Sequence, residues 1–301
     1  MTHISVVVPT RNRLAELQRA LAGVDAQDWP DLEVIVVVDA SSDGTADHLC
    51  EMRPDVRLVA SSVHVGAAAA RNLGLAQATG ELVAFLDDDD VWRPGYLEAQ
   101  VASLAADPDA LLSCTGHVEV DPAGRVTLAD TSTLLRDPTP IVRMLAECFI
   151  HTMSVVVCRP EALQRFGTLD EGLAIVHDLD WYARVLSGEA RIAYVARPLV
   201  ERGLPGGLIT AHRRWYAEER IVLDRWPVLA TRQVRAYRSL TFAGVGVARR
   251  DPGFAVARVC EALALAPVET ARLALAAFAR RRRRRAAPPA DPPAVLVGLE
   301  P

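Results

Sequence analysis

The chain has 301 residues, half of them apolar, and a formal charge of −5. That is enough to bury one large core, or one core and a smaller helical appendage, and it excludes a disordered or fibrous protein. The charge is segregated: from residue 211 to 285 there are 17 arginines against 6 acidic residues, and the sequence contains no lysine. Arginine as the sole basic residue beside histidine points to a GC-rich, bacterial coding sequence. No basic segment with a secretory apolar run precedes Ile4, and no uncharged apolar stretch of about 18 residues occurs, so neither a leader nor a spanning helix is expected. The five cysteines are scattered and form no CxxC. A zinc site or disulfide framework is not expected, and a reducing cytoplasm is.

The first 110 residues alternate between two patterns. Apolar, β-branched runs at Ile4–Val8, Val34–Val38, Val56–Ala60 and Leu82–Leu86 lack polar alternation. They read as strands buried on both faces of a parallel sheet. Between them, Leu14, Leu17, Leu21 and Val24 repeat at helical spacing. Asp43-Gly44-Thr45 makes a turn and cap, Ala67–Ala78 is a strong helix former, and Gly95–Ala106 is closed by Asp107-Pro108. Such repeats predict a doubly wound α/β sheet. Residues 110–210 mix strands at Leu111–Cys114, Met153–Val157 and Ile192–Val195 with short helices and longer loops. From Ala211 the pattern is helical and basic. Residues 286–301, rich in Pro and Ala, read as a disordered tail.

The strongest local feature is Asp87-Asp88-Asp89-Asp90, directly after the apolar run 82–86. Four adjacent carboxylates repel one another, and a divalent cation is the simplest compensation. Hard carboxylate oxygens suit Mg²⁺ or Mn²⁺ in sites completed by substrate phosphates. Ligands of open α/β sheets bind outside the carboxyl ends of the strands, where this cluster lies. One Asp would serve as an ordinary helix cap before Pro94; four fit that role poorly.

Five segments, in order, resemble glycosyltransferase family 2, the inverting group with the GT-A fold. They are Val6–Arg13, Val36–Thr45, Gly66 through Arg71-Asn72 to Glu81, Phe85–Trp92 and His177–Arg184. The resemblance covers roughly residues 3–210. It implies a mixed, mostly parallel Rossmann-like sheet flanked by helices. A catalytic domain would span 1–210, with a nucleotide-sugar half at 1–110 and an acceptor half at 111–210. A basic helical region at 211–285 and the tail would follow.

The resemblance also implies roles. Pro9, Thr10 and Arg11 would line the base and ribose, at a βα turn where helix N–H groups suit a polar ligand. Asp39 would read the base, although Val38 stands where the family usually has another acid or amide. Arg71 would touch the donor base or partner the acidic cluster. Asp87 and Asp88 would lie near the ribose and diphosphate, and Asp89 would hold Mn²⁺ or Mg²⁺. Asp90 could be a cap. Asp178 would be the base that takes the acceptor proton, with His177, Asp180 and Trp181 on the acceptor side; His177 replaces a frequent acid. Asp178 and Asp180 are two apart and point to different faces of a helix, while Leu179, Tyr182 and Leu186 form its core stripe. The family's late His is missing near Glu201–Gly207, where Gly206-Gly207 could hinge a closing loop.

The expected partners are a nucleotide-sugar donor, UDP-linked by preference and GDP- or dTDP-linked otherwise, and an acceptor that the sequence does not name. Six consecutive arginines, Arg280–Arg285, could lie on an anionic membrane surface from the inner side, or form a solvated helix end. Nucleic acid is not expected, because aromatic interleaving is lacking. Two competing readings are a degenerate GT-A binding protein and a sugar-phosphate nucleotidyltransferase. The first is kept open by Val38 and His177. The second is disfavoured by a first loop, Pro9–Arg13, without glycine.

Overall fold

The computed structural model describes residues 2–120, 126–129, 152–188, 190–203, 211–226, 231–268 and 270–271. The chain divides into two compact units, Met1–Ala230 and Thr231–Pro301.

The first unit is built on one mixed sheet in the order β3-β2-β1-β4-β8-β6-β9-β5, with β7 paired to β6. Its first half is parallel: β1 (Ile4–Thr10), β2 (Leu32–Asp39), β3 (Arg57–Ser61) and β4 (Leu82–Phe85). These strands are linked by helices α1 (Leu14–Asp25), α2 (Thr45–Met52) and α3 (Ala67–Leu75). β1 and β4 are buried throughout and β2 over most of its length, as unbroken apolar runs require. β3 departs from that expectation. It is the sheet edge, and its residues are half-buried or exposed.

The second half is mixed. β8 (Val156–Cys158) runs antiparallel to β4 and to β6 (Ala110–Val120). β9 (Arg191–Gly203) runs parallel to β6 through three register irregularities, and antiparallel to the short β5 (Asp90–Trp92). β7 (Val126–Ala129) lies against the far end of β6. α4 (Tyr96–Ala106), α5 (Pro160–Phe166), α6 (His177–Ser187) and α7 (His212–Arg225) complete the unit.

Helix and sheet approach most closely at Gly74. A Cβ there would stand 2.5 Å from Val7 Cγ1 and 3.1 Å from Val37 Cγ2. Only hydrogen fits, so α3 lies flat on β1 and β2. The strand order places the turn-back between β1 and β4. The loop after β1 feeds α1 towards β2, and the loop after β4 departs towards the mixed half. A crevice at such a switch point is where open α/β sheets bind ligands.

The charge change at Ala211 and the change of compact unit are different places. α7 belongs to the first unit because it is tied to α6. Glu218 accepts N–H bonds from Ile175 (2.7 Å) and Val176 (3.4 Å), and Arg225 pairs with Asp170 and Asp180. The second unit is a helical hairpin of α8 (Arg232–Ala248) and α9 (Pro252–Leu265). Thr231 and Asp251 cap these helices through side-chain oxygens. Gly246 lets the two meet: a Cβ would lie 3.0 Å from the Phe254 ring. Among the described residues no helix is long and apolar enough to cross a membrane. Gly206-Gly207, the arginine run 280–285 and the tail 286–301 lie outside the described residues.

Candidate functional site

The loops after β1 and β4 meet at the switch point, and their side chains interlock. Thr10, at the end of β1, donates its hydroxyl to Asp88 Oδ2 at 2.8 Å. Arg13, just before α1, sends Nη1 to Asp88 Oδ1 (3.0 Å) and to Asp89 Oδ2 (2.8 Å). The Arg13 loop is held by the loop after β2. Ser42 N–H donates to Asn12 Oδ1 at 2.7 Å, and Leu14 N–H donates to Asp43 Oδ2 at 3.1 Å. Asn12 adopts a left-handed φ of 53°, a region that Asn tolerates well.

Side chains of the protein itself relieve part of the repulsion within the Asp cluster. Asp87 is paired with the buried guanidinium of Arg71 from α3. Burial pushes its carboxyl up, and Arg71 outweighs this and holds it below the ordinary range. Asp88 is pushed up to about 6 by burial, against Arg13 and Thr10. Asp89 is raised by burial and by Asp87. Asp90 is buried and pushed up to about 8 by desolvation and by its charged neighbours. It therefore keeps its proton at neutral pH. Thr152 Oγ1 lies 2.7 Å from Asp90 Oδ2 and 3.0 Å from Asp87 Oδ2, and Gly203 N–H reaches Asp90 Oδ1 at 3.1 Å. Two arginines and one retained proton thus offset part of the cluster's charge from within the chain.

Arg71 also organises the far side. Its Nη1 stands 2.8 Å from His177 Nε2. An arginine only donates, so this ring nitrogen accepts, and His177 is neutral. Desolvation and the guanidinium push its pKa down to about 3. Arg71 thus links Asp87 to His177. His177, placed by sequence on the acceptor side, is buried behind Arg71 instead.

Asp178 lies in the first turn of α6 and is half-buried. It is not the helix cap, since that position belongs to Val176, and its Oδ1 faces the N–H of Leu179 at 2.7 Å. Desolvation pushes it up to about 6; Leu179 N–H and Arg71 oppose this, and Asp87 adds to it. It is therefore largely ionised at neutral pH and weakly solvated, the state of a usable base.

Asp180 and Trp181 do not belong to this face. Asp180 is buried against Arg184 (3.0 Å), Arg225 (3.3 Å) and Trp226 Nε1 (3.3 Å). Trp181 has no exposed surface, gives its N–H to Gly167 O at 2.9 Å and meets Phe85 edge-on at 6.3 Å. Asp180 lies two residues beyond Asp178 and so points to a different side of the helix.

Asp39 ends β2 and is buried. It accepts from Val65 N–H (2.7 Å), Gly66 N–H (2.9 Å) and His64 Nδ1 (2.7 Å). Burial raises its carboxyl, and these donors outweigh that and lower it. It thus shapes the turn into α3, where Gly66 has a φ of 91°. A carboxylate offers about four lone-pair sites, and three are taken here. Pro9 is buried beside Thr10, and Arg11 is exposed at the mouth.

Sequence reasoning missed Arg13, Thr152, Ser154 and Glu218. Ser154 Oγ meets the Asp87 N–H at 2.9 Å and its carbonyl takes Trp92 Nε1 at 2.9 Å, so this segment sits directly under the cluster. Arg13 had a signal: it is one of two basic residues, with Arg11, in the loop that follows β1. The other three are brought in from distant chain by β8 and α7 and had none.

For a cation, the donor set fits. Asp88 and Asp89 present hard oxygens, and burial holds both above the usual carboxylate range, with Asp87 adding to the rise at Asp89. Among the described residues no three His, Cys, Asp or Glu side chains converge as a closed cage. An open site of one or two carboxylates, completed by phosphates, is how Mg²⁺-type ions are usually held.

The family model described as glycosyl transferase family 2 matches residues 5–158, about half of the chain. An uncharacterised glycosyltransferase of Nostoc sp., alr2836, is 32% identical over 176 residues, 56% of this chain and 54% of that protein. The chain therefore spans about half the length of that curated relative. Among solved structures, the mannosyltransferase PcManGT from Pyrobaculum calidifontis, in complex with GDP-Man and Mn²⁺, is similar with a TM-score of 0.61 and 23% identity, over 92% of this chain and 80% of that one. S. aureus TarS 1–349 in complex with UDP-GlcNAc has a TM-score of 0.60 and 18% identity, over 85% and 90%. At such identities the likeness speaks for the fold, the GT-A arrangement implied by the order of the motifs. With half its length matched by the family model and its sheet in the GT-A arrangement, this chain belongs to glycosyl transferase family 2.

Proposed function

We propose that this protein transfers a sugar from a nucleotide-diphosphate donor to an acceptor hydroxyl, with inversion at the anomeric carbon and Asp178 as base. The observation that carries this reading is the meeting of Thr10, Arg13 and Asp87–Asp89 at the switch point, with Asp178 in the field of the same Arg71 and Asp87. Pro9, Thr10 and Arg11 line the base and ribose, and Asp39 offers its remaining lone pair to the base. UDP is the favoured nucleotide, with GDP and dTDP behind it. Proteins of this fold have been seen with GDP-Man and with UDP-GlcNAc. Family membership leaves the nucleotidyltransferase reading without support.

The acceptor oxygen attacks the anomeric carbon as its proton passes to Asp178, and the bond to the diphosphate breaks with its electron pair on the leaving group. Mn²⁺ or Mg²⁺ held through Asp89, with Asp88 beside it, would supply Lewis-acid stabilisation of the departing diphosphate. Arg71 keeps Asp87 ionised and steadies the charge on Asp178. On charge alone, an anionic membrane surface is the proposed partner of Arg280–Arg285.

Calorimetric titration with UDP, GDP and dTDP, each with and without Mn²⁺, tests the donor site beside Asp89→Ala. One nucleotide is expected to bind tightly only with metal, and the variant to lose this. No metal-dependent binding to the wild type would instead make the protein a degenerate member that keeps the fold.

A further inference from the structure

Arg13 holds a position that the proposed donor site needs for a cation. A single nitrogen, Nη1, bridges two carboxylates, at 3.0 Å from Asp88 and 2.8 Å from Asp89. Guanidinium groups usually bind one carboxylate with two nitrogens. Here the geometry is that of a point charge between two oxygens. The partners also differ in freedom: the Arg13 side chain is 40% exposed, while those of Asp88 and Asp89 are 9% and 22% exposed. Asp88 is held on its other oxygen by Thr10, so it stays when the guanidinium leaves. The root of Arg13 is fixed, because Asn12 and Leu14 on either side are bonded to the loop 41–43. Only the side chain is free to swing.

Charge balance shows when it swings. Two carboxylates and one guanidinium leave a single negative charge. A divalent cation alone would turn this positive and press against Arg13 at close range. Arrival of a diphosphate restores the original sign and offers the guanidinium a new anionic partner, one that its planar donors match well.

We propose that Arg13 is a tethered counter-ion, which occupies the cation position between Asp88 and Asp89 in the free protein and moves onto the donor diphosphate when metal and donor enter. Metal and nucleotide then bind as a coupled pair, and neither binds well alone. The inference rests on the donor-site reading above.

Mn²⁺ titrated into the full chain, with free Mn²⁺ read by electron paramagnetic resonance, tests it without any turnover. Wild type, Arg13→Gln, Arg13→Lys and Asp89→Ala are compared, each alone and with UDP, GDP or dTDP. Thermal melts check that the variants are folded. Wild type is expected to take up Mn²⁺ weakly alone and far more tightly with nucleotide. Arg13→Gln should bind Mn²⁺ alone on the order of tenfold more tightly, because a like charge has gone from contact range. It should also lose most of the enhancement by nucleotide. Arg13→Lys, which keeps a point charge, should follow wild type. If Arg13→Gln binds Mn²⁺ alone no better than wild type, while wild type still shows nucleotide-dependent uptake, the counter-ion role is overturned and the donor site stands. If no variant takes up Mn²⁺ with UDP, GDP or dTDP, the donor-site reading falls, and the Arg13 proposal with it.

Discussion

Asp178 and His177 sit side by side at the start of α6, and their environments push their pKa values apart. Desolvation raises the acid to about 6, whereas desolvation and Arg71 lower the histidine to about 3. The histidine is therefore a neutral acceptor for Arg71, and the charge of the guanidinium acts on Asp87, which it pairs, and on Asp178. Replacing Asp178 by Asn should lower turnover by roughly 10²–10⁴-fold, the usual weight of a general base, while nucleotide binding by calorimetry is kept. The wild-type rate should fall as pH drops through about 6, since protonation removes the base. His177→Glu would add a competing carboxylate beside Arg71, so its acid limb should move to higher pH. An unchanged limb would show that Arg71 does not govern Asp178. The motif marked Asp178 as important, but only packing explains its state. The spacing rule that separated Asp178 from Asp180 was sound, yet it could not tell which of the two faces the cluster.

At the scale of elements, the site depends on how closely α3 lies against the sheet, because Arg71 is carried on that helix. Gly74→Ala would drive a methyl to 2.5 Å from Val7 Cγ1. Overpacking of this kind costs about 1–3 kcal/mol, which should appear as a lower denaturant midpoint with an unchanged slope. The same shift would move Arg71 relative to Asp87, so metal-dependent nucleotide binding should weaken as well. A midpoint equal to wild type would mean that α3 can lift without cost. The strands of the first half were legible because two-sided burial demands unbroken apolar runs. The edge position of β3 was not. Arg57 makes Val56–Ala60 less apolar than the other runs, but strand order is a long-range property that no local pattern records. Thr152 and Ser154 were hidden for the same reason: β8 carries them from a distant part of the chain to the floor of the cluster.

At the scale of the molecule, every described residue of the site lies within Met1–Ala230. A chain ended after Ala230 should therefore keep a cooperative thermal transition and its nucleotide binding, measured by circular dichroism and calorimetry. Loss of the transition would show that the α8–α9 unit is needed for folding. The charge shift at residue 211 marks a change of composition, but α7 packs with the first unit because Glu218 and Arg225 face α6. The sequence by itself determined the alternation of strand and helix, the family, and the acidic loop at a strand end, because each is written in local order or short spacing. Only the tertiary structure decided how four carboxylates coexist. Arg71, Arg13 and the proton on Asp90 are assigned by distance and desolvation. Both arise where loops from β1 and β4 meet across a sheet whose strand order the linear chain does not display.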